Sequence, residues 1–380
     1  MKPLQFVLFM SFVFLSAQTL SSCGETEKGE SLPYEPNANE HIHQNEKHFK
    51  SLHQMTFGGS NAEAYFSFDN SKMVFQAKND HWDVACDQIF LMDLSETYSN
   101  EIMPPKISTG KGRTTCSYFL PGDSLILYSS THLGGDPCPP EPTRLGGRYS
   151  WPIYRTFDIF VADLEGNTVA QLTDNVGYDA EATVSPQGDK IVFTSFREET
   201  GDLNLYTMDL DGGNLKQITT EKGYQGGAFF SPDGSQIVFR GSAFMSDEEI
   251  EEYKELLGKD MVQPTRMEIF VVDSDGSNLR QVTQLGGANW APFFHPSGEK
   301  IIFSSNHHSE RGHPFNLFMI NVDGTGLEQI TFGETFESFP MFSHDGKHLV
   351  FSSSRNNEEG TRDINVFIAE WQEENSVENE

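Results

Sequence analysis

The side chains able to do chemistry in this 380-residue chain are few and widely spaced. His132, His307, His308 and His313, with Asp179 and Glu181, form the set that would hold a divalent cation, carboxylates favouring calcium and imidazoles zinc or manganese. None of these histidines stands three residues from another, and His307-His308 is an adjacent pair whose rings cannot share one face. Arg113, Arg197 and Arg355 are cations suited to an acidic sugar. Trp82, Trp151, Tyr154, Tyr178, Tyr224 and Trp290 offer flat faces for a sugar or a protein partner, and half of them are expected in the core between repeats. There is no Gly-x-Ser-x-Gly elbow, which counts against a serine peptidase, and no phosphate-cradling Gly-x-x-x-x-Gly-Lys loop. With 26 basic against 56 acidic residues the net charge is −30, which opposes binding to nucleic acid.

The elements that must position these residues are legible as a repeat. Ser185-Pro-Gln-Gly-Asp-Lys-Ile-Val-Phe193 recurs as Ser231 to Phe239, His295 to Phe303 and Ser343 to Phe351, with weaker copies at Ser67 to Phe75 and Phe119 to Leu127. Six copies result. Each follows an aromatic-rich segment and precedes an alternating one, such as Glu268-Ile-Phe-Val-Val-Asp273, then an Asp-Gly turn and a closing Leu-x-Gln-Ile-Thr phrase. The pattern predicts four antiparallel strands per unit joined by tight turns. The 31 Phe, 33 Gly and 18 Pro suit short strands punctuated by turns. Four strands cannot bury both faces alone, so the units must stack, and the expected fold is an all-β, six-bladed β-propeller over residues 49–371. Leu52-His-Gln-Met-Thr56 matches the closing phrase but precedes the first unit, whereas the last unit after Ile364-Asn-Val-Phe-Ile-Ala369 lacks one. The amino-terminal strand is therefore expected to complete the last blade and seal the ring.

In this architecture the variable connections fall on one face. The second blade inserts residues between Thr131 and Thr156, the fourth a capping-box helix starting at Ser246, and the fifth the histidine-bearing segment at 307–313. Counting back six residues from each turn phrase places Asn61, Arg113, Asp179, Gln225, Asn289 and Glu337 around the channel mouth on that face, and counting back four places Glu63, Thr115, Glu181, Gly227, Ala291 and Phe339. His132, Arg197, His307 and Arg355 stand at the exits of second strands. A polar, hydrated mouth is expected.

The amino terminus reads as an address. Lys2 and an apolar run from Leu4 to Leu15 make a secretory signal over residues 1–22, too short in its apolar part to span a bilayer. Leu20-Ser21-Ser22-Cys23 resembles the bacterial lipobox, which implies lipidation of Cys23, anchoring to the membrane through that lipid, and a net charge of −31 once Lys2 is removed. Gly24 after the cysteine implies, by the same resemblance, the outer membrane, facing periplasm or surface. Residues 23–48 are expected to be a flexible tether and 372–380 an acidic tail. Cys86, Cys116 and Cys138 then leave one disulfide, with three possible pairings, and one free thiol.

The Ser-Pro-Asp-Gly phrase followed by Ile-Val-Phe, the aromatic strand ending in Asp, and the Asp-Gly and Leu-Thr phrases resemble the repeat of TolB-like propellers. That repeat also builds the non-catalytic propeller of prolyl-oligopeptidase-type enzymes and the body of some polysaccharide lyases, so it speaks to fold more than to function. Taken together, the sequence is expected to be that of a lipid-anchored envelope protein, a monomer, whose rigid propeller binds an envelope protein or a polar ligand at the long-loop face and channel mouth. The enzymatic alternative is a metal-assisted lyase or hydrolase acting on an acidic glycan at the same mouth; the third reading is a structural scaffold.

Overall fold

In the computed structural model, residues 36–99, 102–140, 149–242, 245–310 and 312–373 are described. The signal segment and Cys23 lie outside them. Six sheets follow one another around the ring. The first blade holds Ser60–Phe66, Lys72–Asn79 and Val84–Asp93, and the second Thr114–Phe119, Leu125–Ser130, Asp158–Asp163 and Thr168–Gln171. Blades three to five begin with the inner strands Asp179–Val184, Gln225–Phe230 and Asn289–Phe294, and the sixth with Glu337–Phe342.

The closing phrase has a physical function in every blade but the first. The threonine hydroxyl accepts from a third-strand N–H, as at Thr219 from Leu205 and Thr283 from Ile269, both 2.8 Å, while the glutamine two residues earlier donates to the threonine carbonyl. Gln54 and Thr56 do the same for the last blade, Thr56 accepting from Val366 N at 2.8 Å. Phe49–Gln54 accordingly pairs antiparallel with Asn365–Trp371, Leu52 opposite Ala369. The bridge from Ser60 to Ile364 repeats those joining Leu203 to Tyr224, Met267 to Ala288 and Phe315 to Phe336, so the seam between last and first blades is built like the others.

Three expectations are corrected. The first blade has three strands with an isolated bridge from Phe90 to Lys106, because Pro104 and Pro105 cannot donate to a ladder and leave Ser108 alone to take the threonine's part. Residues 36–48, expected within the tether, pack on the last blade, with Ala38, Glu46 and His48 buried. Gln372 and Glu373, expected in the tail, bond to His48 and His295, and the rest of the tail lies outside the described residues.

Candidate functional site

The site begins with one irregularity made six times. Every inner strand slips register where two residues face one, a β-bulge. The bulged residue takes a left-handed conformation in each: Glu63 at φ 52°, Cys116 at 40°, Glu181 at 60°, Gly227 at 60°, Ala291 at 48° and Phe339 at 55°. These six residues converge around one small void of about 20 Å³ on the channel axis. The second blade places Cys116 there instead of Thr115. Its turn runs Leu120-Pro-Gly-Asp123, with Asp123 rather than Gly122 at the position the other turn glycines hold, so a count anchored on Gly122 is one residue short.

Below this layer the channel is closed by rings. Tyr65 meets Tyr118 at 5.7 Å and Phe229 at 5.6 Å, and Phe229 meets Phe293 at 5.0 Å. Above it lies a cavity of about 300 Å³ bounded by Glu63, Gln76, Arg113, Glu181, Arg240 and aromatic side chains. Its roof is formed by Tyr149 and Trp151 to Tyr154, from the later part of the second blade's insertion. Trp151–Pro152 pairs with Met261–Val262 from the fourth blade's insertion, and Ile153 N donates to Asp260 O at 2.7 Å. The helix Asp247–Leu257, opened by the Ser246 and Glu249 capping box, supports this roof, with Tyr253 donating to Gly223 O at 3.0 Å. Cys86 and Cys138 are joined, which fixes the start of the second blade's insertion to the first blade and leaves Cys116 as the free, buried thiol.

Inside the cavity one ion pair is held by many groups. Arg240 donates to Glu181 Oε2 at 3.2 Å and Tyr224 Oη at 2.8 Å, with its guanidinium over the Trp151 ring at 4.9 Å. Glu181 also accepts from Tyr178, Tyr224 and Gly227 N at 3.1, 2.5 and 2.5 Å. A buried pair persists only when its remaining hydrogen-bonding capacity is met this way. Two adjacent glycines make the space. A Cβ on Gly226 would stand 2.3 Å from Tyr224 Oη, and one on Gly227 2.3 Å from Arg240 Nη1. Glu63 differs: it accepts from Cys116 N at 3.1 Å and has no ion-pair partner among the described residues. Burial first, and the Glu181 charge second among the effects that raise it, push its carboxyl up to about 7.

The other expected mouth residues are elsewhere. Asn61, Asp179, Gln225, Asn289 and Glu337 are buried in the blade seams, not in the opening. Asn61 donates to Ile364 O at 2.8 Å, Gln225 to Glu221 O at 3.1 Å and Asn289 to Met267 O at 2.9 Å. Ser195 donates to Asp179 at 2.5 Å and Ser353 to Glu337 at 3.0 Å. Thr114 takes the place assigned to Arg113, which pairs with Asp87 at 3.7 Å on the cavity rim. Arg355 bridges Glu46 and Glu337, both at 3.0 Å. Arg197 lies over Tyr206 at 5.1 Å and 3.7 Å from Asp179. His132 lies over Phe160 at 4.3 Å and His307 over Phe318 at 4.6 Å. Burial lowers the pKa of both imidazoles, helped by Lys111 and His308 respectively. Among the described residues no three His, Cys, Asp or Glu side chains converge as a metal centre, so the expected cation set is not brought together. Of the aromatics, Trp151, Tyr154, Tyr178, Tyr224 and Trp290 line the cavity, whereas Trp82 covers Phe90 in the first blade at 5.3 Å.

Arg240 escaped the sequence reading. Its signal was a lone arginine in Val238-Phe-Arg-Gly241 where the aligned second strands carry Thr194, Ser304 and Ser352, opposite two consecutive glycines.

A family model described as the TolB beta propeller domain matches residues 155–243. A solved protein assigned as TolB from Agrobacterium tumefaciens is 19% identical, over 83% of this chain and 91% of its own, with a TM-score of 0.53. TolB from Acinetobacter baumannii is 16% identical over 83% and 64%, TM-score 0.49, and oligogalacturonate lyase from Vibrio parahaemolyticus 13% over 87% and 95%, TM-score 0.49. No curated protein matches the chain in sequence. The first of these structures shares the fold of this chain, and at that identity the likeness speaks to the fold alone.

Proposed function

We propose that this TolB-like six-bladed propeller is a lipid-anchored envelope protein that binds a small polar ligand in the roofed cavity at the long-loop end of its channel. The observation that carries the reading is a cavity of about 300 Å³, at the lower end of the range for small-molecule sites, with aromatic walls, a closed floor and a buried Glu181–Arg240 pair. Bulged strands on a rigid ring hold these groups, so little order has to be created on binding. The signal segment, Cys23 and the Cys86–Cys138 disulfide support an oxidising, extracytoplasmic setting at the outer membrane.

The acidic-glycan lyase finds less support. Its arginines, Arg113, Arg197 and Arg355, are turned to Asp87, Asp179, Glu46 and Glu337, and its histidines lie against blade aromatics. Proton transfer here would fall to Glu63 instead, whose carboxyl titrates near neutrality.

The test is a titration of the protein with the small-molecule fraction of a cell-envelope extract, followed by tryptophan fluorescence. Trp151→Ala is expected to weaken the response at least tenfold, and His307→Ala to leave it unchanged. An unchanged response in Trp151→Ala, or its loss in His307→Ala, would move the site out of the cavity.

A further inference from the structure

The charges around the cavity do not balance. Arg240 is engaged by Glu181 and Tyr224, and Arg113 by Asp87, each guanidinium lying over an aromatic ring, Trp151 and Tyr154 respectively. That leaves Glu63 as a carboxylate beyond the two pairs. It sits between the floor rings and the cavity, on a bulge that turns it toward the axis. The groups facing it are Cys116 from the second blade, Glu181 from the third, Arg240 from the fourth, Gln76 from the adjacent strand and Tyr65 from its own. Only one of these is a cation, and it is already shared.

We propose that the ligand is an organic cation, a compound with one protonated amine on an apolar or aromatic body, whose nitrogen pairs with Glu63 while the body lies against Trp151, Phe336 and Phe339. The inference rests on the cavity being the binding site and adds the ligand's charge and its anchor. Three physical points support it. Glu63 is half-buried, open only toward the cavity, and a carboxylate drawn out of bulk water without a counter-ion costs free energy that an incoming cation recovers. Aromatic walls favour a cation over an anion, as the stacking of Arg240 on Trp151 and of Arg113 on Tyr154 already shows within this protein. An anionic ligand would face both Glu63 and Glu181, whereas a neutral one would leave Glu63 as it is.

The site also implies a direction with pH. Glu63 must be ionised to pair with an ammonium, so affinity rises as the pH passes upward through about 7. Between pH 6 and pH 8 the ionised fraction changes about tenfold, and binding should follow it.

Benzylamine, benzyl alcohol and benzoate share one body and differ in charge, which makes them the probes. Calorimetric titration of the purified protein at pH 8 is expected to show benzylamine binding at least tenfold tighter than either of the others, and about tenfold tighter than at pH 6. Glu63→Gln should bring benzylamine to the level of benzyl alcohol at both pH values, with thermal unfolding measured alongside to establish that the variant is folded. Trp151→Ala should weaken benzylamine at both pH values while keeping its pH dependence. Equal or tighter binding of benzyl alcohol or benzoate overturns the cationic ligand and leaves the cavity as a binding site. Binding of benzylamine unaffected by both Glu63→Gln and Trp151→Ala overturns the cavity reading as well, as does failure of all three probes to bind.

Discussion

At the residue scale, the site depends on which side chains share the space left by a missing one. Five blades accommodate a Cβ at the bulged position and only the fourth uses glycine there, so the left-handed backbone is not what demands Gly227. Arg240 does. Gly227→Ala is therefore expected to destabilise the protein by roughly 2–4 kcal/mol, as overpacking against a buried charged network does. In an Arg240→Ser background, serine being the residue at Ser304 and Ser352, the same change should cost about 1 kcal/mol or less, a coupling readable from urea unfolding of the double-mutant cycle. Equal costs in both backgrounds would detach the glycine from the arginine. Glu63 and Glu181 were legible from sequence because the turn phrase fixes their distance from a landmark. Cys116 was not, because the second blade's turn uses Asp123 where the others use glycine or asparagine, and a one-residue slip exchanges the two faces of a strand.

At the element scale, the polar residues that count to the mouth are those that hold strands together. Propeller blades meet along seams where backbone groups would be left without partners; Asn61 and Asn289 reach across to the preceding blade's Ile364 and Met267 carbonyls, while Gln225 braces the loop that enters its own strand through Glu221 O. Sequence spacing marks such positions as regular and polar, but it does not separate a side chain turned to the seam from one turned to the axis. Arg355 shows the same ambiguity. It joins the segment before the first strand, through Glu46, to the inner strand of the last blade, through Glu337, and all three groups are buried. Removing the cation strands two carboxylates, so Arg355→Met should cost about 3–5 kcal/mol. Hydrogen exchange is the check: protection should fall first in residues 49–54, the strand this triad backs. A loss spread evenly over all six blades would mean that the triad is not tied to closure.

At the scale of the whole molecule, the ring was legible because the chain writes its closing phrase once before the first unit and omits it from the last, and Gln54 and Thr56 of that phrase each have a bond to make in the last blade. The roof was not legible. Two insertions from blades two apart in the ring meet in a pair of two-residue strands, a contact that no local pattern around Trp151 or Met261 announces. Insertions that lengthen the loops of a propeller were expected to frame a polar, hydrated mouth; here Trp151–Pro152 and Met261–Val262 cover it, with the start of the second blade's insertion held to the first blade by the disulfide at Cys138. The proposed binding site accordingly lies in the space beneath the loops rather than on their surface.

Cys116 reports on that space, being the free thiol among the described cysteines and standing on the cavity wall beside Glu63. The rate of its alkylation by N-ethylmaleimide in the intact, disulfide-bonded protein, followed by mass spectrometry, measures whether the cavity is roofed and occupied by ligand. Slow modification is predicted, at least tenfold faster in Trp151→Gly and slower again when the small-molecule fraction of the envelope extract is present. A rate indifferent to both the Trp151 substitution and the extract would contradict a working site at the centre of the ring.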